Sequence, residues 1–206
     1  MTLTKFLNRT LKILAVGPLL YWVAGFFFDW LGVEPIVKIN TQSGYVVLIF
    51  LLVNLAIGAI QSLNWFDIKW YRFLQMSRRY WGIMCGFYVV LHFVTYLAKE
   101  SFLPKGWEQI ITKDYLIAGS FAASMILILT LTSNSISTRI LKKKWKVLHR
   151  IVYFAFFVML FHVFQIEKAN LLLLALMMLP VIILQLFRVV RLGRRTLSRS
   201  SKTTST

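Results

Sequence analysis

The chain has 206 residues, 58% of them hydrophobic, and carries 24 Lys and Arg against 7 Asp and Glu, a net charge of +17. One soluble core of that size cannot hide so many helices that are apolar on every side. The cations flank the apolar runs instead of forming a groove-facing patch, so nucleic acid is excluded as a partner.

The chain opens with a short basic stretch, residues 1–12, that runs into a long apolar segment with no prompt small-residue cleavage site. We read it as an uncleaved first span. Apolar runs near the roughly 18–20 residues needed to cross hydrocarbon predict six spans. They are 11–28, 44–63, 80–98, 116–132, 147–166 and 171–190. The expected fold is therefore an all-α integral membrane protein, a six-helix transmembrane bundle surrounded by membrane lipid. Pro18 and Pro180 fall inside the first and sixth spans, as kink positions. The third holds the single cysteine, Cys85, which excludes an intramolecular disulfide and reads as a small core residue. The fourth holds Gly119, Ser120 and Ser124, small residues that suit close helix packing. Residues 1–192 form the transmembrane domain, and 193–206, basic and rich in Ser and Thr, are expected to be a disordered cytoplasmic tail.

Cations alternate along the chain. The segments around Lys5, Arg72, Lys144 and Arg194 are densely basic, and Asp67 is the one acid among them. The intervening loops mix a few lysines with Glu34, Glu100, Glu108, Asp114 and Glu167. The positive-inside rule then places both termini in the cytoplasm. Trp65, Trp70, Trp81 and Trp145 are expected at the cytoplasmic interface, Trp30 and Trp107 at the outer one.

Only three histidines exist, His92, His149 and His162, and all lie in or at the edge of spans. An ionisable side chain there is costly and is a functional candidate; the alternative is a hydrogen-bonded helix contact. His92 stands six residues before the outer end of the third span and His162 four before that of the fifth, so they share a depth. Two imidazoles at one level on two helices can clamp one iron porphyrin. Zinc fits less well, for lack of further ligands at that depth. His149 lies thirteen residues before His162, about 20 Å lower and about 140° around an ideal helix. Either the helix is distorted or the two address different sides. Arg79 and Arg78 stand thirteen and fourteen residues before His92, where a fourth histidine would complete an inner clamp. Their guanidinium groups suit haem propionates or a flavin phosphate; as topology anchors they would have no ligand.

Several segments carry a family resemblance: Arg78-Arg79, Trp81-Gly82 and Leu91-His92; residues 31–38 with 41–44; residues 111–116 with 131–134; and residues 145–153, containing His149, with His162 thirteen on. Together they resemble the haem-binding membrane subunit of the bacterial methionine-sulfoxide reductase system, the MsrQ (YedZ) family, over roughly residues 11–191. The resemblance implies a place in the ferric-reductase-like transmembrane group, whose members usually stack two haems between histidines thirteen or fourteen apart. It implies haem b, one or two, on His92, His162 and His149, and an ability to bind FMN. It also implies a bacterial inner-membrane location and electron supply from a cytosolic flavin reductase or quinone. The implied acceptor is a periplasmic molybdopterin methionine-sulfoxide reductase (MsrP-like). The expected role is an electron-transfer subunit rather than a catalytic one. The alternatives are a quinone- or metal-reducing cytochrome with a small-molecule acceptor, and a cofactor-free scaffold or transporter.

Overall fold

The computed structural model describes residues 3–63, 68–100, 102–166 and 170–203. Among them are nine helices: α1 (Leu3–Phe27), α2 (Pro35–Ser62), α3 (Ile68–Lys99), α4 (Pro104–Thr112), α5 (Asp114–Leu131), α6 (Ser135–Leu141), α7 (Lys143–Leu148), α8 (Ile151–Phe164) and α9 (Leu171–Thr203). Six stretches are long and apolar enough to cross a membrane: Arg9–Phe27, Pro35–Ser62, Ile68–Lys99, Asp114–Leu131, Lys143–Phe164 and Leu172–Arg191. The all-helical, six-span expectation therefore holds. In hydrocarbon no water is available to the backbone, and helices meet that condition within one segment. Large apolar side chains such as Phe26, Phe157 and Leu186 are left open on the outside, a surface suited to lipid.

The boundaries differ in instructive ways. α2 starts at Pro35, well before the expected residue 44, because a proline at the first helical position gives up no needed donor. α3 likewise begins inside the basic segment expected to be a loop. The fifth span is interrupted: His149 and Arg150 lie between α7 and α8. Arg150 N–H donates to the Val147 carbonyl at 3.1 Å and Tyr153 N–H to the Arg150 carbonyl at 3.1 Å. Such three-residue bonds tighten the turn relative to an α-helix. The helix is thus distorted, and its two histidines still face different surroundings. α9 continues past residue 192 as helix, through most of the segment expected to be a tail. Trp81 faces the bundle interior rather than its outer surface: it is buried, edge-on to Phe50 at 4.6 Å. Trp65, Asp67, Glu167 and Lys168 lie outside the described residues.

Two antiparallel pairs form the frame: α2 packs along α3, and α5 along α8. α3 also meets α5, α9 lies on α2, and α1 rests against α2 and α3. Tyr88 is fully buried where α1 crosses, its hydroxyl donating to the Ala15 carbonyl at 2.8 Å and its ring edge-on to Trp22 and Phe50. Cys85 is buried nearby, as expected. Trp22 donates to Gln42 near the start of α2, and Arg191 donates to the Leu63 carbonyl at its end. The N-terminal part of α1 and the C-terminal part of α9 therefore share one end of the bundle. It contains Arg78, Arg188 and Arg191, and we call it the basic end. The opposite end, where α2 begins, holds a cavity.

Candidate functional site between two helix pairs

The cavity has a volume of about 720 Å³ and lies between the α2–α3 and α5–α8 pairs. That is within the roughly 300–1,000 Å³ typical of cofactor and ligand sites. Val47, Leu48, Val89, Ile126 and Met159 make its deeper wall, and both His92 and His162 line it. Each histidine is fixed by the other helix of its own pair. His92 Nδ1 lies 3.0 Å from the Asn40 carbonyl oxygen on α2 and 3.1 Å from Ser43 Oγ. Asn40 returns the contact, its side-chain amide donating to the His92 carbonyl at 2.9 Å. His162 Nδ1 lies 2.6 Å from the Tyr115 carbonyl oxygen on α5, and its ring stacks on the Tyr115 ring.

These contacts decide the tautomers. A carbonyl oxygen only accepts, so Nδ1 must carry the proton in both rings. Nε2 then has the free lone pair in each. A metal-binding imidazole is set up in the same way, its other nitrogen donating to a backbone carbonyl that fixes the ring and raises its basicity.

A shared device brings the rings this close. Four residues after Asn40 comes Gly44, and four after Tyr115 comes Gly119. On a helix that spacing puts the glycine one turn above the accepting carbonyl. A methyl carbon added at Gly44 would come 3.1 Å from His92 Cε1, and one at Gly119 would come 2.7 Å from His162 Nδ1. A side chain at Gly119 would force the His162 ring to shift, and one at Gly44 would crowd the His92 ring by a few tenths of an ångström. Two helix pairs thus dock a histidine in the same way, on opposite walls of one cavity.

His149 is elsewhere. It caps α7 at the basic end, with Nε2 3.2 Å from Thr132 Oγ1 and its ring stacked on Trp145 at 3.9 Å. It does not line the cavity. Arg78 also faces this end: Nε donates to Asn54 Oδ1 at 3.2 Å, while the Asn54 amide donates to the Arg78 carbonyl at 2.9 Å. Gly58, one turn along α2 from Asn54, leaves room for the guanidinium. Arg79 is exposed and donates to the Ser133 carbonyl at 2.8 Å. Arg188 donates to the Tyr153 hydroxyl and lies over its ring. The sequence-predicted residues therefore separate into two sites, His92 and His162 at one end and His149, Arg78 and Arg79 at the other.

The donor set fits an iron porphyrin. Two imidazoles that line one cavity from different helix pairs, each with Nδ1 bonded to a carbonyl, would supply iron ligands through Nε2, and an apolar wall flanks them. Among the described residues, no three His, Cys, Asp or Glu side chains gather as a zinc site would need. Sequence reasoning missed Asn40, Ser43, Gly44 and Tyr115, and treated Gly119 only as a packing residue. Their role depends on which helix lies beside which, and nothing local in the sequence marks that.

Comparison with known proteins agrees with the multi-span membrane fold. Residues 43–160 match the family model described as ferric reductase like transmembrane component. Similar curated proteins include three named protein-methionine-sulfoxide reductase heme-binding subunit MsrQ. The one from Deinococcus radiodurans is 34% identical over 127 residues, 61% of this chain and 60% of that protein. That from Rhodospirillum rubrum is 32% identical over 158 residues, 75% of this chain and 73% of that protein. That from Rhizobium meliloti is 32% identical over 136 residues, 64% of this chain and 60% of that protein. The matched region thus spans about three fifths of two of these relatives. No solved structure is a significant match.

Proposed function

The chain belongs to the MsrQ family of ferric-reductase-like transmembrane proteins, and from that premise we propose that it is a b-type cytochrome subunit that conducts electrons across a bacterial inner membrane. The observation that carries this reading is the pair His92 and His162, each held by a backbone carbonyl and each facing one cavity. A haem bound there supplies reversible one-electron chemistry. The chain's own part is to hold that group, fix both imidazoles, and keep water from the apolar inner wall. Both histidines contribute lone pairs, and neither moves a proton while its Nδ1–H is donated to a carbonyl.

In this reading the basic end is cytoplasmic, following the positive-inside rule. Reducing equivalents enter there from a cytosolic flavin reductase or from quinone. His149, Arg78 and Arg79 serve that inner side, either as ligands of a second haem or as contacts to FMN, whose phosphate matches a guanidinium fork. Electrons leave at the cavity end to a periplasmic molybdopterin methionine-sulfoxide reductase. Supply of that enzyme would support repair of oxidised periplasmic proteins.

The test is a reduced-minus-oxidised spectrum on the detergent-purified chain, followed by addition of the oxidised periplasmic reductase. We expect haem near one or two per chain, and its rapid reoxidation by that enzyme. Haem that the enzyme leaves reduced, but that a quinone or ferric chelate reoxidises, would favour a small-molecule acceptor instead. A colourless protein from haem-replete cells would leave the histidines as helix-packing residues of a scaffold.

A further inference from the structure

The cavity has two walls of histidine and an apolar floor, but its mouth is charged. Of all the described residues that line it, only two carry a fixed charge, Lys99 and Lys113, and both are cations. Each is tied to one of the histidine mounts. Lys99 follows His92 by seven residues on α3, which puts it on the same helix face about 10 Å nearer the mouth. Lys113 immediately precedes α5 and stands two residues before Tyr115, whose carbonyl holds His162.

Neither ammonium is neutralised by a strong partner. Lys99 Nζ is 3.8 Å from Glu100 Oε1, with its side chain 41% exposed, a separation and setting at which a pair contributes little. Lys113 Nζ donates to the neutral amide oxygen of Gln109 at 3.0 Å. The Gln109 amide in turn lies 3.5 Å from Glu100 Oε2. A loose string, Lys99–Glu100–Gln109–Lys113, therefore spans the ends of α3 and α4 beside the opening. The short helix α4 is seated there by Tyr96, whose hydroxyl reaches the Gly106 carbonyl, and by Trp107 against Phe93.

We propose that Lys99 and Lys113 are carboxylate anchors, taking the two propionates of a porphyrin whose axial positions face His92 and His162. This inference rests on the haem reading above. A porphyrin has one edge with two carboxylates and an otherwise apolar rim. An apolar floor with two cations at the mouth accepts it in one sense, carboxylates toward the opening. The lysines thus select the ligand and set which edge faces the exterior partner.

The test uses the full-length chain, stripped of pigment in detergent and reloaded with either protohaem or its dimethyl ester, which keeps iron and ring but carries no carboxylate charge. At roughly threefold for each exposed ion pair, the wild type should take protohaem about tenfold better than the ester. The double variant Lys99→Met, Lys113→Met should bind both pigments alike and still give a low-spin spectrum. Lys99→Arg with Lys113→Arg should restore the preference. Equal loading of the two pigments by the wild type, or a preference that survives in the methionine variant, would overturn the anchors and leave the haem reading standing. Uptake of neither pigment would overturn both.

Discussion

The two ends of the bundle hold the same kinds of residue in opposite ways. At the cavity end, His92 and His162 give their Nδ1 protons to the Asn40 and Tyr115 carbonyls and keep Nε2 free beside an open volume. At the basic end, Arg78 and Arg188 meet neutral partners, Asn54 and Tyr153. There His149 has its Nε2 against Thr132. One end is arranged around a space and the other around contacts between helices. A free ligand atom facing a cavity points to chemistry. A polar group held against a neighbouring helix contributes first to stability, and a histidine in a span can do either.

Substitutions can break this contrast, starting with the strongest. His92→Ala or His162→Ala should remove the haem at the cavity completely, whereas His149→Ala should leave it in place. Low-temperature electron paramagnetic resonance of the three purified variants, which resolves the cavity haem from any second one, measures this, and loss of the cavity signal in all three would erase the distinction between the ends. Gly119→Ala comes next. Its new methyl would sit 2.7 Å from His162 Nδ1, and overpacking of this kind costs about 1–3 kcal/mol. We expect it to lose well over half its haem, with the remainder shifted toward high spin. Gly44→Ala, at 3.1 Å from His92 Cε1, should lose less than half, so the two alanine variants rank the tightness of the two mounts. At the basic end, Arg78→Ala removes the donor to the Asn54 side-chain oxygen, while the Asn54 amide keeps its backbone carbonyl, and should destabilise the chain by about 1–3 kcal/mol, read as a lower unfolding midpoint in detergent. Its cavity-haem spectrum should be unchanged. Arg79→Ala, at an exposed contact, should shift that midpoint by less than about 0.5 kcal/mol.

Much of this arrangement can be read from the sequence, and the rest fails for definite reasons. Apolar run length identifies the six spans because hydrocarbon thickness sets a minimum helix length. Counting residues from the span ends puts His92 and His162 at one depth, and the structure brings them to one cavity. Helical periodicity leaves the relation of His149 to His162 ambiguous because it assumes an unbroken helix, while His149 and Arg150 lie in a tightened turn. The start of α2 at Pro35 and the burial of Trp81 escape a reading based on hydropathy and on interfacial aromatics. Asn40 escapes it altogether, and Gly44 and Tyr115 enter only as parts of segments that carry the family resemblance, with no role attached. Their value lies in the partner helix they touch, and one sequence does not reveal that pairing. Lys99 and Lys113 look like ordinary loop cations until the cavity places them at its rim.

The central claim is that His92 and His162 together ligate one iron through Nε2. The most direct measurement is the low-temperature electron paramagnetic resonance spectrum of the oxidised, purified chain. The account predicts a low-spin ferric haem with two imidazole axial ligands. A chain whose haem is entirely high-spin and five-coordinate would contradict it, because only one of the two carbonyl-fixed histidines could then reach the metal.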